Sequence, residues 1–259
     1  MSHRRRRMIN GGGAAFNPQS VLTAWLENGV SVAAVSSVTD RMNTNPAVQA
    51  TAGRQPAGDA TGAITWDGND CLSWPLVASQ NKATGALAFA FWFKPASILT
   101  NQGVINIHNG TGGASVQTLR IYAGAGNIVM EVRNNGVVGR RGTIASVLAA
   151  GTSAFITGEF NGALASEATR HVITLNGVVQ TLSFVALSGG ASDTVLNDPT
   201  GNLLIGGAAN ADVGNEPIAV GGKTGRDIFV RAGSAMSGVT EGVWTPAIRT
   251  ALKNHRPLA

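Results

Sequence analysis

The chain has 259 residues, 34 of them glycine, with 44% hydrophobic and 13% charged side chains and a formal net charge of +5. That content is too apolar for a disordered chain, and the single cysteine excludes an intrachain disulfide and a Cys-based metal site. No hydrophobic stretch approaches the roughly 20 residues of a membrane span.

The charge excess is local. Arg4 to Arg7 supply four positive charges, so the remainder is close to neutral and argues against a broad nucleic-acid face. Residues 1–17 read as a basic, Gly-rich arm, SHRRRR leading into Gly11-Gly12-Gly13, and residues 18–259 as one domain without linker or internal repeat. Met8 to Ser20 lacks the apolar core of a signal peptide, so synthesis in a cytoplasm without export by that route is the expectation. A mobile, polar arm is ordered only where something holds it. Its four arginines suit carboxylates of a neighbouring subunit better than phosphates, because nucleic-acid coat proteins tend to carry larger basic arms.

From Val21 onward, short apolar runs alternate with Gly/Asn/Asp punctuation, which predicts an all-β sandwich or barrel. Strands are predicted at Val21 to Leu26, Ile64 to Trp74, Leu87 to Phe93, Gly103 to His108, Leu119 to Ala123 and Ile128 to Arg133. Further strands are predicted at Val137 to Arg141, Phe155 to Phe160, His171 to Leu175, Val178 to Phe184, Leu203 to Gly206 and Asp227 to Arg231. In LAFAFWFKP, Leu87, Phe89, Phe91 and Phe93 share one face and Ala88, Ala90 and Trp92 the other. Both faces are apolar, so this strand belongs at the centre of a sheet covered on both sides. Asn135-Gly136 and Asn176-Gly177 are hairpin signals, since Asn-Gly accepts the positive φ of a type I′ turn.

Ala145 to Ala150 reads as a brief helical turn. Thr245-Pro246 opens a helix to His255, with threonine at the N-cap, proline at N1 and a stripe of Ile248, Ala251, Leu252 and His255. GGKTG, Gly221 to Gly225, lacks the first glycine of a phosphate loop because Pro217 stands there; with GAGN, Gly124 to Asn127, it reads as a turn. His171 at the start of a core strand reads as a packed or surface histidine, and with no Gly-x-Ser-x-Gly elbow there is no serine triad. Trp66, Trp74, Trp92 and Trp244 fall where tryptophans pack in a core, and no exposed aromatic platform for a sugar stands out.

In order, TAWL at Trp25, ITWDGNDCL, FAFWFKP, GVINI, LRIYAGAGNIVMEV, ITLNGVVQ, LLIGGAA and DIFVRAG before a short helix resemble the concanavalin A-like lectin/glucanase superfamily. The resemblance is strongest to its laminin G-like branch, common in bacteriophage and bacterial surface proteins. It implies an antiparallel two-sheet jelly-roll sandwich with one short C-terminal helix behind the N-terminal arm. Glucanases of that superfamily carry paired carboxylates on one strand. Here Glu131 and Glu159 each stand alone, so no catalytic residue is assigned and a non-enzyme is expected. The resemblance also makes Ca²⁺ in loops a candidate, with Asp193, Asp198, Asn210 and Asp212 near LLIGG, but no dense acidic pattern accompanies them and no metal ligand is assigned.

The resulting expectation is a structural protein of a phage-like virion, assembled in the host cytoplasm. It would decorate the capsid or tail, contact other virion proteins through Arg4, Arg5, Arg6 and Arg7, and form a homo-oligomer. The alternative is a carbohydrate-binding adhesin or lectin module that recognises a surface glycan.

Overall fold

The computed structural model describes residues 16–42, 45–68, 70–75, 85–98, 102–109, 116–124, 126–134, 138–187, 203–206, 221–234 and 240–258. The strands are β1 (Ala24–Glu27), β2 (Ser37–Asp40), β3 (Ala47–Val48), β4 (Ala57–Gly58), β5 (Ile64–Asp67), β6 (Leu72–Trp74), β7 (Gly85–Pro95), β8 (Gln102–Asn109) and β9 (Val116–Gly124). They continue as β10 (Asn127–Asn134), β11 (Val138–Ile144), β12 (Ala154–Asn161), β13 (His171–Leu175), β14 (Val178–Val179), β15 (Ser183–Leu187), β16 (Leu203–Ile205) and β17 (Gly221–Ser234). A short helix α1 (Glu167–Arg170) precedes β13, and α2 (Pro246–His255) is the last element.

The pairings, all antiparallel among the described residues, build two sheets. One runs β2-β1-β17-β7-β12-β13-β14, with β5 and β4 continuing beside the first half of β17. The other runs β2-β3-β6-β16-β8-β9-β10-β11-β15. Strand β2 belongs to both: Thr39 and Asp40 pair with β1, Ser37 and Val38 with β3. The fold is the expected jelly-roll sandwich.

The apolar run places the core. Between β17 and β12, β7 turns Leu87, Phe89, Phe91 and Phe93 toward the facing sheet, where they pack with Ile105, Met130, Leu203 and Ile205. Its small side, Ala86, Ala88 and Ala90, lies under a second apolar cluster with Leu22, Trp25, Phe155, Phe229, Val243, Trp244 and Leu252. Alanines there let the C-terminal segment lie close on the sheet. Helix α2 starts as its sequence requires, the Thr245 hydroxyl accepting from the Ile248 N–H and Pro246 in the first turn. The Asn176-Gly177 hairpin has the positive φ values, 54° and 87°, of its turn type. Residues 135–137 lie outside the described residues, though Asn134 and Val138 pair on either side of them.

Several expected boundaries are corrected. Ile64 to Trp74 is not one strand: β5 and β6 lie in different sheets, because Gly68 at φ 99° turns the chain between them. Val178 to Phe184 likewise divides into β14 and β15, one in each sheet. Gly221 to Gly225 is not a turn but the first third of β17, extended because both edges are taken, by β5 and β7. Val21 closes a single helical turn, Pro18–Val21, capped by the Asn17 side chain. Ala145 to Ala150 forms no helix, since Ser146 takes a φ of 55°. Helix α1, unpredicted, is four residues held by a Ser166 capping box.

Candidate functional site

Where β7 ends at Pro95 and β17 begins at Gly221, the sandwich has a cavity of about 290 Å³. Its lining is Trp66 and Thr65 from β5, Lys94, Pro95 and Ala96 from the end of β7, Gly151, and Gly222 and Lys223 from β17. Strand alternation explains this mixture. Trp66 points inward and is 2% exposed, its indole N–H donating to the Thr224 hydroxyl at 3.1 Å. Thr65 and Lys94 are the Cα partners of Lys223 on either side, so the three form one row across β5, β17 and β7.

Two glycines permit the close packing around Trp66 and Pro95. A Cβ on Gly206 would stand 2.4 Å from the Trp66 ring, so only glycine lets β16 end against the indole. A Cβ on Gly222 would meet the Lys94 carbonyl at 2.3 Å, and its φ of 139° is one that side chains rarely adopt. The amine of Lys223 donates to Asp59 Oδ2 at 3.1 Å. The other Asp59 oxygen accepts from the Thr61 hydroxyl and from the N–H groups of Thr61 and Ala63. The Thr61 hydroxyl chiefly, then Lys223, hold this carboxyl down at about 2. Asp59 is therefore a fixed counter-ion outside the lining. The lining is chiefly apolar and the volume modest, the dimensions of a small-molecule recess.

The carboxylates singled out in the sequence lie elsewhere and are engaged. Glu131 on β10 is buried and paired with its cross-strand partner Arg141 at 2.5 Å. Glu159 on β12 is fully buried, receiving the Arg249 guanidinium at 2.7 and 3.2 Å, the Val243 and Trp244 N–H groups and the Thr157 hydroxyl. Neither was alone: each partner arginine is distant in sequence or across a hairpin. His171 is packed as expected, fully buried between the rings of Phe160 and Phe184.

A second charged cluster closes the two ends of the domain. Glu27 binds Arg41, Arg226 and Arg256, while Asp227 binds Arg256 and accepts from the Trp25 indole at 2.9 Å. Burial alone would raise the Glu27 carboxyl, but Arg256 first, then Arg41 and Arg226, hold it below its ordinary value. Burial pushes the Asp227 carboxyl up, and it pushes the His255 ring down between Trp25 and Phe229.

Arg4, Arg5, Arg6 and Arg7 lie outside the described residues, as do Asp193, Asp198, Asn210 and Asp212. Among the described residues, no three or more His, Cys, Asp or Glu side chains gather to hold a metal. Lys94, Lys223 and Thr65 were missed in the sequence. Reading GGKTG as a turn hid Lys223, and only the β7–β17 pairing brings the two lysines face to face.

No protein-family model matches the chain, and a comparison with curated proteins finds no match. Solved structures do resemble it. The botulinum neurotoxin serotype D ligand-binding domain in complex with N-acetylneuraminic acid superposes with a TM-score of 0.59 at 11% identity, covering 92% of this chain and 52% of that one. The receptor-binding domain of a botulinum neurotoxin C/D mosaic serotype gives 0.51 at 11% identity, covering 92% and 52%. Trypanosoma rangeli sialidase in complex with sialic acid gives 0.56 at 11% identity, covering 93% and 34%. The chain thus spans about half the length of the toxin domains and about a third of the sialidase. At such identity the likeness bears on the fold alone, a jelly-roll sandwich.

Proposed function

We propose that the chain is a non-catalytic carbohydrate-binding module. The cavity at the Pro95 end of β7 carries this reading: a chiefly apolar recess of about 290 Å³ lined by Thr65, Trp66, Lys94, Pro95, Ala96, Gly151, Gly222 and Lys223. The likeness to domains of proteins solved with sialic acid supports it. So does the state of the two buried glutamates. Glu131 and Glu159 lie on different sheets, each neutralised by an arginine, whereas glycoside hydrolysis needs two carboxyl groups flanking one bond.

A glycan array probed with the full chain tests the reading, followed by calorimetry on any hit. Saturable binding is expected, and because the cavity lining holds no carboxylate it survives a chelator. Absence of binding to every glycan class overturns it.

A second reading keeps the module in a phage-like virion, on the capsid or tail. Exposed valines on the edge strands of the two sheets, Val178 (64%) and Val179 (42%) on β14 and Val185 (56%) on β15, favour a protein partner or a second copy. Arg4 to Arg7 would then anchor the chain to a neighbouring subunit. Deleting residues 1–13 should leave the sandwich folded and abolish incorporation into particles; normal incorporation rules out that anchor.

A further inference from the structure

We propose that β15 is the pairing edge of a two-fold dimer: its outer side binds the same strand of a second copy, antiparallel and centred on Val185. The contact needs neither a glycan nor a particle, so it is independent of both readings above. Among the described residues β4, β14 and β15 each have a single neighbouring strand, and β15 is the longest of the three. On the side away from β11, its N–H and C=O groups have no strand beside them among the described residues. Sheets normally guard such an edge with a charge, a proline or a bulge. Here VVQTLSFVAL, Val178 to Leu187, carries neither charge nor proline, and the β11 register runs from Leu187 to Ser183 without a shift. Phe184 packs on the His171 ring, so alternation puts Val185 on the outer face, 56% exposed, in the row of Arg141 and Glu131. Strand β14 ends the other sheet, and only residues 180–182 join it to β15. Its exposed Val178 and Val179 therefore lie on the same side of the sandwich and widen the apolar contact.

Charge and topology choose the occupant. The cations of the neighbouring strand, Arg140 and Arg141, are engaged by Glu167 and Glu131. A charged partner strand thus finds no spare counter-charge on β15 or β11, whereas a neutral one buries no ion. The chain's own edge is such a strand. Antiparallel pairing about Val185 sets that valine against its counterpart and Ser183 against the second copy's Leu187, with no ionised side chain opposed to another. The far end of the same sheet is β2, a four-residue strand already held by β1 and β3. The sheet therefore has no second edge of this kind for head-to-tail stacking, and β15 meeting β15 closes the assembly at two copies.

Sedimentation of the full chain over a range of concentrations tests this, and a monomer–dimer equilibrium is expected. Val185→Lys and Val185→Glu should each set like charges against one another across the two-fold axis and weaken self-association by about a hundredfold. An equimolar mixture of the two variants should dimerise again, because opposite charges then face each other. Val48→Lys, at an exposed valine on β3, should leave the equilibrium unchanged. The substituted side chains are exposed, so thermal melts should show every variant folded. A chain that stays monomeric up to about 1 mM overturns the dimer. A dimer untouched by both Val185 variants overturns the β15 edge. Two monomeric variants that fail to pair when mixed overturn the arrangement about Val185, and species that keep growing beyond two copies overturn the closed contact.

Discussion

Glu159 and Arg249, ninety residues apart, meet in a fully buried two-point ion pair that pins the C-terminal segment to the outer face of the β12 sheet. Ala88, the β7 partner of Glu159, leaves the space through which the guanidinium reaches the strand. Arg249 also reaches Glu241 at 2.8 Å, and a Cβ on Gly242 would strike the Glu159 carboxylate at 2.5 Å.

Removing one partner leaves a buried charge. Arg249→Met should destabilise the protein by about 3–5 kcal/mol, read by denaturant unfolding, whereas the double change with Glu159→Leu should recover most of that loss. A double variant no more stable than Arg249→Met would show that the loss does not come from the uncompensated Glu159 charge.

Phe91 stands at the middle of the core between Ile228 and Ile156, with no exposed surface. Phe91→Ala should cost about 3–5 kcal/mol and leave a cavity. A loss below about 1 kcal/mol would mean that the two sheets close over the gap.

Gly206→Ala brings a methyl group to 2.4 Å from the Trp66 ring at a φ of 78°. The cost should be about 1–3 kcal/mol, and the shifted indole should change Trp fluorescence and weaken glycan binding together. Unchanged fluorescence and binding would free the cavity floor from Gly206.

Acid should loosen the far end of helix α2. His255 has its ring charge disfavoured by burial first, against the attraction of Asp227, with Arg256 adding to the burial effect and Glu27 opposing it. Its lowered pKa means that the neutral ring is the form the fold prefers. The stabilisation is complete above the unfolded value of 6.5 and is lost as pH falls from there through the folded value. Melting temperature should therefore decline on acidification below about pH 6.5, and more shallowly in His255→Gln. Parallel profiles for the two proteins would assign the decline to other groups.

The fold was legible wherever one strand carried its own instructions. LAFAFWF announced a strand buried on both faces, Asn176-Gly177 announced its hairpin, and Thr245-Pro246 announced α2. What escaped were properties of pairs distant in sequence. Glu159 and Glu131 each looked solitary because their arginines arrive through tertiary contact. Lys223 sat in a glycine-rich run that reads as a turn, and only two flanking strands make that run extended. The division of Ile64 to Trp74 between sheets turned on the positive φ of Gly68, which strand periodicity does not report.

The contacts that close the domain have a consequence for its synthesis. Arg256 to Glu27 spans 229 residues and the Trp244 indole to the Val21 carbonyl spans 223, so neither forms until the segment from Trp244 to Arg256 has been synthesised. Until then Ala86, Ala88, Ala90 and Phe155 have no cover from the C-terminal segment, and a nascent chain stalled before Val243 presents that apolar sheet face to solvent. Closure of this sheet face beside the ribosome thus waits on residues 243–256, and a chain released before they emerge is a substrate for chaperones or for aggregation.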